Sequence, residues 1–188
     1  NSRLIYRFFE LQYINNFNGQ DTFTWRCKND SNQSLKTLHT VNVTVNPVND
    51  PPAVWPNETP ITVNEDSSTE IDLQQWGGVY DVEGDELTYT IVDSPQHGSL
   101  ELISGETYKY TYTPQPNYYG DDSFSYKVSD GQLESNVTPV YIEVSNVNDP
   151  PVANNQSFST NEDTPASFTL TGSDIDSTNL TYQIVVYP

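Results

Sequence analysis

Acidic residues recur at fixed spacings in segments that should be irregular, a pattern suited to coordinating a hard cation. Asp81-Val82-Glu83 and Asp174-Ile175-Asp176 each set two acids one residue apart, and in a loop such a pair can aim both carboxylates at one point. Asn49-Asp50 and Asn148-Asp149 stand directly before proline pairs. The prolines hold the chain extended and end any strand ladder, leaving the Asn and Asp side chains free to coordinate. Other acids collect nearby in sequence: Glu65, Asp66, Glu162 and Asp163 after the proline pairs, and Asp121, Asp122 and Asp130 in a further region. Asp and Asn also favour turns, so a solvated, metal-free acidic loop is the competing reading.

These positions belong to a repeat. Val-Asn-Asp-Pro-Pro occurs at Val48 to Pro52 and again 99 residues later at Val147 to Pro151, and Asn-Glu-Asp occurs at Asn64 to Asp66 and 97 residues later at Asn161 to Asp163. That period suits a whole β-sandwich rather than a small solenoid unit. The expected division is residues 1–52 as the C-terminal part of a repeat, 53–151 as a complete repeat with its linker, and 152–188 as the N-terminal part of another. Gly19 aligns with Gly120 and Pro188 falls near Pro95, so the chain lacks about six residues of two full periods. Two explanations stay open: a segment cropped from a longer filament, or ends completed by another chain.

The elements that must position these loops are strands. Apolar residues alternate with polar ones at Leu87, Tyr89 and Ile91; Tyr108, Tyr110 and Tyr112; Phe124, Tyr126 and Val128; and Val140, Ile142 and Val144. Period two marks a strand with one buried face. Shorter strands are expected at Ile61 to Asn64, Thr69 to Leu73 and Gly98 to Leu102, with turns at Gly77-Gly78, Glu83-Gly84-Asp85, His97-Gly98 and Asp130-Gly131. The fold class is all-β, with tandem seven-stranded Greek-key sandwiches joined by short Pro-rich linkers and minimal helix. Phe23 and Trp25 match Phe124 and Tyr126, and are expected to pack between sheets as they do.

Composition narrows the function. Seven Lys plus Arg against 26 Asp plus Glu leave a net charge of −19, which disfavours nucleic acid and anionic membranes as partners. Self-repulsion on that scale makes a screening divalent cation, Ca²⁺, an expected component. The single cysteine, Cys27, excludes an intrachain disulfide and reads as a small strand hydrophobe. His39 and His97 lie far apart, no phosphate loop or zinc spacing is present, and no catalytic residue is assigned.

Taken together, Asn64-Glu65-Asp66, Asp81 to Tyr89, His97 to Leu100, Tyr118 to Tyr126, Asp130-Gly131 and Val147 to Pro151 resemble the cadherin-like, Ig-like tandem repeats of large extracellular adhesins and filament proteins. That resemblance implies Ca²⁺ between consecutive domains, roughly one or two ions per linker. Carried over, one junction would use Glu65, Asn148, Asp149, Asp174 and Asp176, and the other Asn49, Asp50, Asp81, Glu83 and Asp130. Asn117, Asp121 and Asp122 stand nearest to an acidic cadherin motif that has no clear counterpart here. Glycosylation sequons fall at Asn29, Asn32, Asn42, Asn57, Asn136, Asn155 and Asn179. The expected role is a non-enzymatic extracellular structural or adhesive array, with neighbouring copies as partners and head-to-tail polymerisation as one form of that partnership. The alternative is a glycan- or protein-binding module.

Overall fold

The computed structural model describes residues 10–12, 16–26 and 38–185. Cys27, Asn29 and Asn32 lie outside the described residues. Before the first linker come β1 (Gly19–Trp25) and β2 (His39–Val45). Between the linkers come β3 (Ala53–Val54), β4 (Ile61–Asn64), β5 (Thr69–Asp72), a one-turn helix α1 (Leu73–Trp76), β6 (Val79–Tyr80), β7 (Thr88–Asp93), β8 (Gly98–Leu102), β9 (Lys109–Pro114), β10 (Gly120–Ser129) and β11 (Thr138–Ser145). After the second linker come β12 (Val152–Ala153) and β13 (Gly172–Ser173).

The middle segment is a two-sheet sandwich. One sheet runs β4-β11-β10-β7 and the other β5-β9-β8, with β3 paired to β6 at one end. The chain changes sheet between β4 and β5, β7 and β8, and β9 and β10, giving Greek-key connections as expected. The inward positions are those of the period-two pattern: Tyr112, Tyr126, Val128 and Val140 are fully buried, with Phe124 and Ile142 at 1% exposure. Each such side chain contributes about 1.5–3 kcal/mol when removed from water. One boundary differs from expectation. The strand expected through Leu73 ends at Asp72, whose Oδ1 accepts from the Gln74 and Gln75 amides at 3.0 and 3.1 Å and so caps α1. Leu73 is fully buried from the helix instead.

The partial units repeat the sandwich's local geometry. β1 pairs with β2 so that Gly19, Phe23 and Trp25 face Val45, Val41 and His39, the register in which Gly120, Phe124 and Tyr126 face Val144, Val140 and Thr138. Likewise Val152 faces Ser173 as Ala53 faces Tyr80. Left-handed residues recur in step: Asn16 with Asn117, Gly19 with Gly120, and Asp66 with Asp163. Burial does not follow. Phe23 and Trp25, expected between sheets, are 40% and 45% exposed, because among the described residues β1 and β2 pair only with each other and no second sheet covers them.

Asp122, counted from the sequence among the residues nearest a missing acidic motif, is occupied internally. It is buried on β10 and accepts from the Gln96 and His97 amides at 2.9 and 3.0 Å and from the Tyr112 hydroxyl at 2.8 Å. Tyr112 reaches it only because residue 98 is glycine: a Cβ there would sit 2.5 Å from the Tyr112 ring. Asp122→Ala would orphan the buried Tyr112 hydroxyl and two part-buried amides and should cost about 3 kcal/mol, and Gly98→Ala about 1–3 kcal/mol through overpacking. The neighbouring exposed Asp121→Ala should change stability by less than about 0.5 kcal/mol. Urea unfolding midpoints of the three variants check this; equal effects at positions 121 and 122 would contradict it.

Candidate metal centre

The parallel pairing of β4 with β11 builds the second junction. Asn64 lies beside Ser145, so both strands finish at the same end of the sandwich, and the turn after β4 must meet the linker after β11. Glu65 continues the ladder through its amide to the Ser145 carbonyl, 2.9 Å, and its Oε1 accepts from the Val147 amide at 2.7 Å. It is a buried carboxylate at 2% exposure. Asp66 follows in the left-handed conformation, φ 58°, which non-glycine residues seldom adopt outside Asn and Asp. The result is that carboxylate oxygens of Glu65, Asp66 and Asp149 lie within 4.8 Å of one another, close enough to share one metal ion.

The downstream loop closes on the same point. Asp174 Oδ1 accepts from the amides of Asp176 and Ser177 at 2.9 and 2.8 Å, shaping the turn that presents Asp176. Asp176 accepts from the Asp149 amide at 2.5 Å and from Asn146 Nδ2 at 2.8 Å. These bonds, the Asp149 amide foremost, hold the Asp176 carboxyl below the usual range. Asp149 goes the other way: desolvation first, then the charges of Asp66, Asp176, Glu65 and Asp174, raise its carboxyl above the usual range. Its Oδ2 is shielded from solvent and has no hydrogen-bond partner. Among the described residues the ion pairs are Lys109 with Glu106 and Lys127 with Glu134, so no ion pair reaches this cluster.

The first junction repeats the latch. The Asp50 amide donates to Glu83 Oε2 at 3.3 Å, as Asp149 does to Asp176, and Asn49 Nδ2 donates to the Asp50 carbonyl at 3.3 Å, as Asn148 does to Asp149 at 2.8 Å. Asp81, the counterpart of Asp174, is buried; its Oδ1 takes the amides of Glu83, Gly84 and Asp85, while Oδ2 is shielded and unpartnered. Asn49 also donates to Asp130 Oδ2 at 2.8 Å. The Leu133 amide, Asn49 and the Gln132 amide together hold the Asp130 carboxyl below the usual range. The ten residues carried over by resemblance thus fall at two linkers; Asn49 donates its Nδ2 to the Asp50 carbonyl and Asp130 and accepts from Gln132 at Oδ1, whereas Asn148 donates only its Nδ2, to the Asp149 carbonyl.

Asp66 and Asn146 were not among the carried-over set. Asp66 was signalled by its place in the repeated Asn-Glu-Asp triplet; Asn146 had no signal, because its bond to Asp176 is a tertiary contact between the linker and the downstream loop. Of the sequons, Asn42, Asn136, Asn155 and Asn179 are exposed, and Asn42 points out of β2 between half-buried Val41 and Val43. Asn57 is half-buried and its Oδ1 accepts from the Thr59 amide at 3.0 Å.

The shifts fix a pH response for the metal-free protein. The raised Asp149 favours the ordered linker while protonated, and that contribution is lost as pH rises through its raised value. Lowered Asp176 and Asp130 favour order while ionised, and lose that contribution only as pH falls through their lowered values. Amide-exchange protection at Val147 and Asp149, corrected for intrinsic rates, should therefore rise in EDTA as pH falls through the raised Asp149 value and fall again at lower pH as Asp176 protonates. A monotonic loss of protection from pH 7 downward would contradict the cluster's charge state.

The profile of the bacterial Ig domain matches residues 49–143 and 148–188. The chain is 33% identical over 79 residues to integrin beta-like protein B of Dictyostelium discoideum, a stretch covering 41% of this chain and 4% of that protein. Endo-fucoidan hydrolases MfFcnA4 and MfFcnA9 of glycoside hydrolase family 107 align over 69% and 68% of this chain and 19% and 22% of theirs, at 19% and 21% identity and TM-scores of 0.35 for both. At that score the likeness carries no argument, and the chain spans a small part of every relative named. No helix among the described residues is long and apolar enough to cross a membrane. With the two-sheet Greek-key sandwich and a profile match over most of its length, this chain belongs to the bacterial Ig domain family.

Proposed function

We propose that this chain is part of a non-enzymatic extracellular array in which Ca²⁺ stiffens the linkers between Ig-like sandwiches, serving a shaft, stalk or filament. The observation that carries this reading is the second junction. One sandwich supplies Glu65 and Asp66, the linker supplies Asp149, and the next unit supplies Asp174 and Asp176 around it, with no basic residue paired to any of them among the described residues. A hard cation taking six to eight oxygens answers that excess, and a carboxylate-only donor set suits Ca²⁺ better than zinc or copper. Such an ion binds the aligned arrangement and not the splayed one, so it shifts the linker toward alignment by mass action. Extracellular placement is supported by the family and by the acidic composition. Should the chain traverse a secretory pathway, Asn42 offers the best-placed glycan site.

Calcium titration of the EDTA-stripped chain by calorimetry should give a dissociation constant of about 10⁻⁴–10⁻³ M, the range of extracellular modules. Asp66→Asn keeps the left-handed turn but removes a charge, and should weaken binding at the second junction at least about tenfold; Glu101→Gln, on β8, should leave it unchanged. X-ray scattering should show the longest dimension shrinking or blurring on chelation. A scattering profile identical with Ca²⁺ and EDTA would overturn the stiffening role.

A glycan- or protein-binding role is favoured by one observation. Trp55, just after β3, and Tyr80, at the end of β6, are 59% and 53% exposed with ring centroids 6.5 Å apart and planes inclined at 38°, exposed aromatic surface against which a sugar ring could pack. A glycan array that gives specific hits lost in Trp55→Ala would support that role.

A further inference from the structure

Both linkers carry an Asp-Pro peptide bond, at Asp50-Pro51 and Asp149-Pro150. An aspartyl carboxyl ordinarily cyclises with the backbone N–H that follows it, giving a succinimide, but proline has no N–H and closes that route. What stays open is attack of the carboxyl oxygen on the residue's own carbonyl carbon, a five-membered closure with the proline nitrogen as leaving group. Nucleophile and electrophile then belong to one residue, so no encounter has to be arranged.

The second linker holds the parts of that reaction in place. The Asp149 carbonyl accepts from Asn148 Nδ2 at 2.8 Å, which polarises the carbon and stabilises the negative charge that develops on the oxygen during attack. The amide of the same residue donates to Asp176 Oδ2 at 2.5 Å, so the backbone of Asp149 is held at both its N–H and its C=O. Its Oδ2 is shielded from solvent and accepts no hydrogen bond, which leaves the lone pairs of that oxygen uncommitted. The first linker is the weaker copy. Asn49 Nδ2 stands 3.3 Å from the Asp50 carbonyl while also serving Asp130 at 2.8 Å, and the Asp50 amide reaches Glu83 only at 3.3 Å.

We propose that Asp149-Pro150 is a self-cleavage site in which the Asp149 carboxylate is the nucleophile and Asn148 polarises the scissile carbonyl. A carboxylate oxygen bonds to the Asp149 carbonyl carbon, and the C–N bond to Pro150 breaks as the nitrogen takes a proton from solvent, leaving a cyclic anhydride on Asp149. Water then opens the anhydride, giving Asp149 a free α-carboxyl and Pro150 a new amino terminus. One water is consumed, and nothing is oxidised or reduced. The reaction goes beyond the stiffening role and needs no bound ion; it severs one Ig-like unit from the next at their junction.

Mass spectrometry of the intact chain, incubated in EDTA at one mildly acidic pH at which near-ultraviolet dichroism shows it folded, should find the fragments 1–149 and 150–188 forming about tenfold faster than 1–50 and 51–188, the factor that a hydrogen bond of about 1.4 kcal/mol supplies. In guanidinium chloride, where those hydrogen bonds are gone, the two bonds should cleave at similar rates. Asn148→Ala should slow the second cleavage about tenfold, and Asp149→Asn and Pro150→Ala should each bring it below detection. In water enriched in heavy oxygen, label should enter both the α-carboxyl and the side-chain carboxyl of Asp149, because water opens the anhydride at either carbon; a contaminating protease labels the α-carboxyl alone. Absence of cleavage at Asp149-Pro150, equal rates at the two linkers of the folded chain, an unchanged rate in folded Asn148→Ala, or label confined to the α-carboxyl would overturn the proposal. Failure to bind calcium with cleavage intact would overturn only the metal reading.

Discussion

Like charge held together by backbone topology is the constraint on which this molecule turns. β4 and β11 run parallel in register and end together, so the Asn-Glu-Asp turn and the linker cannot separate without unzipping the sheet. Glu65 then clips Val147, Asp149 donates to Asp176, and the unpartnered Asp149 Oδ2 is left facing other acids. Backbone amides can satisfy some lone pairs, as they do for Asp176 and Asp81, but they cannot neutralise the sum. The sandwich therefore prepares a negative concavity at its own exit, and the next unit adds to it. Asp66 follows in the left-handed conformation that Asp tolerates, and its Oδ1 also accepts from the Asn117 amide at 3.3 Å.

The same local geometry recurs on both sides of the central sandwich. Register is preserved in β1–β2 and β12–β13, down to the positive-φ positions, so these segments hold their local form before any core surrounds them. Among the described residues no second sheet lies against them. Local hydrogen bonding and capping set the conformation, whereas burial requires a partner layer.

Much of this was legible in the sequence. Period-two alternation located Ile61–Asn64 and Gly98–Leu102 to the residue, because each strand buries one face and ends at a turn. The doubled Asp-x-acid and Asn-Asp-Pro-Pro spacings identified both linkers. Three things were hidden, each for a physical reason. Alternation says which residues share a face but not whether anything covers it, so Phe23 and Trp25 were placed in a core that the described residues do not form. A side chain's hydrogen-bond partners depend on tertiary contacts, so Asp122 looked like a possible ligand although Tyr112 and two amides already occupy it. The parallel β4–β11 pairing brings the turn that carries Asp66 to the linker, and Asn146 meets Asp176 by a contact 30 positions away; neither contact is visible in residue spacing.

Anomalous scattering from crystals grown in millimolar Ca²⁺ addresses the central claim directly. The account predicts a calcium peak at the second linker, with oxygens of Glu65, Asp66 and Asp149 at about 2.3–2.6 Å. An ordered linker with the same carboxylates turned apart into solvent, and no anomalous density between them, would contradict it.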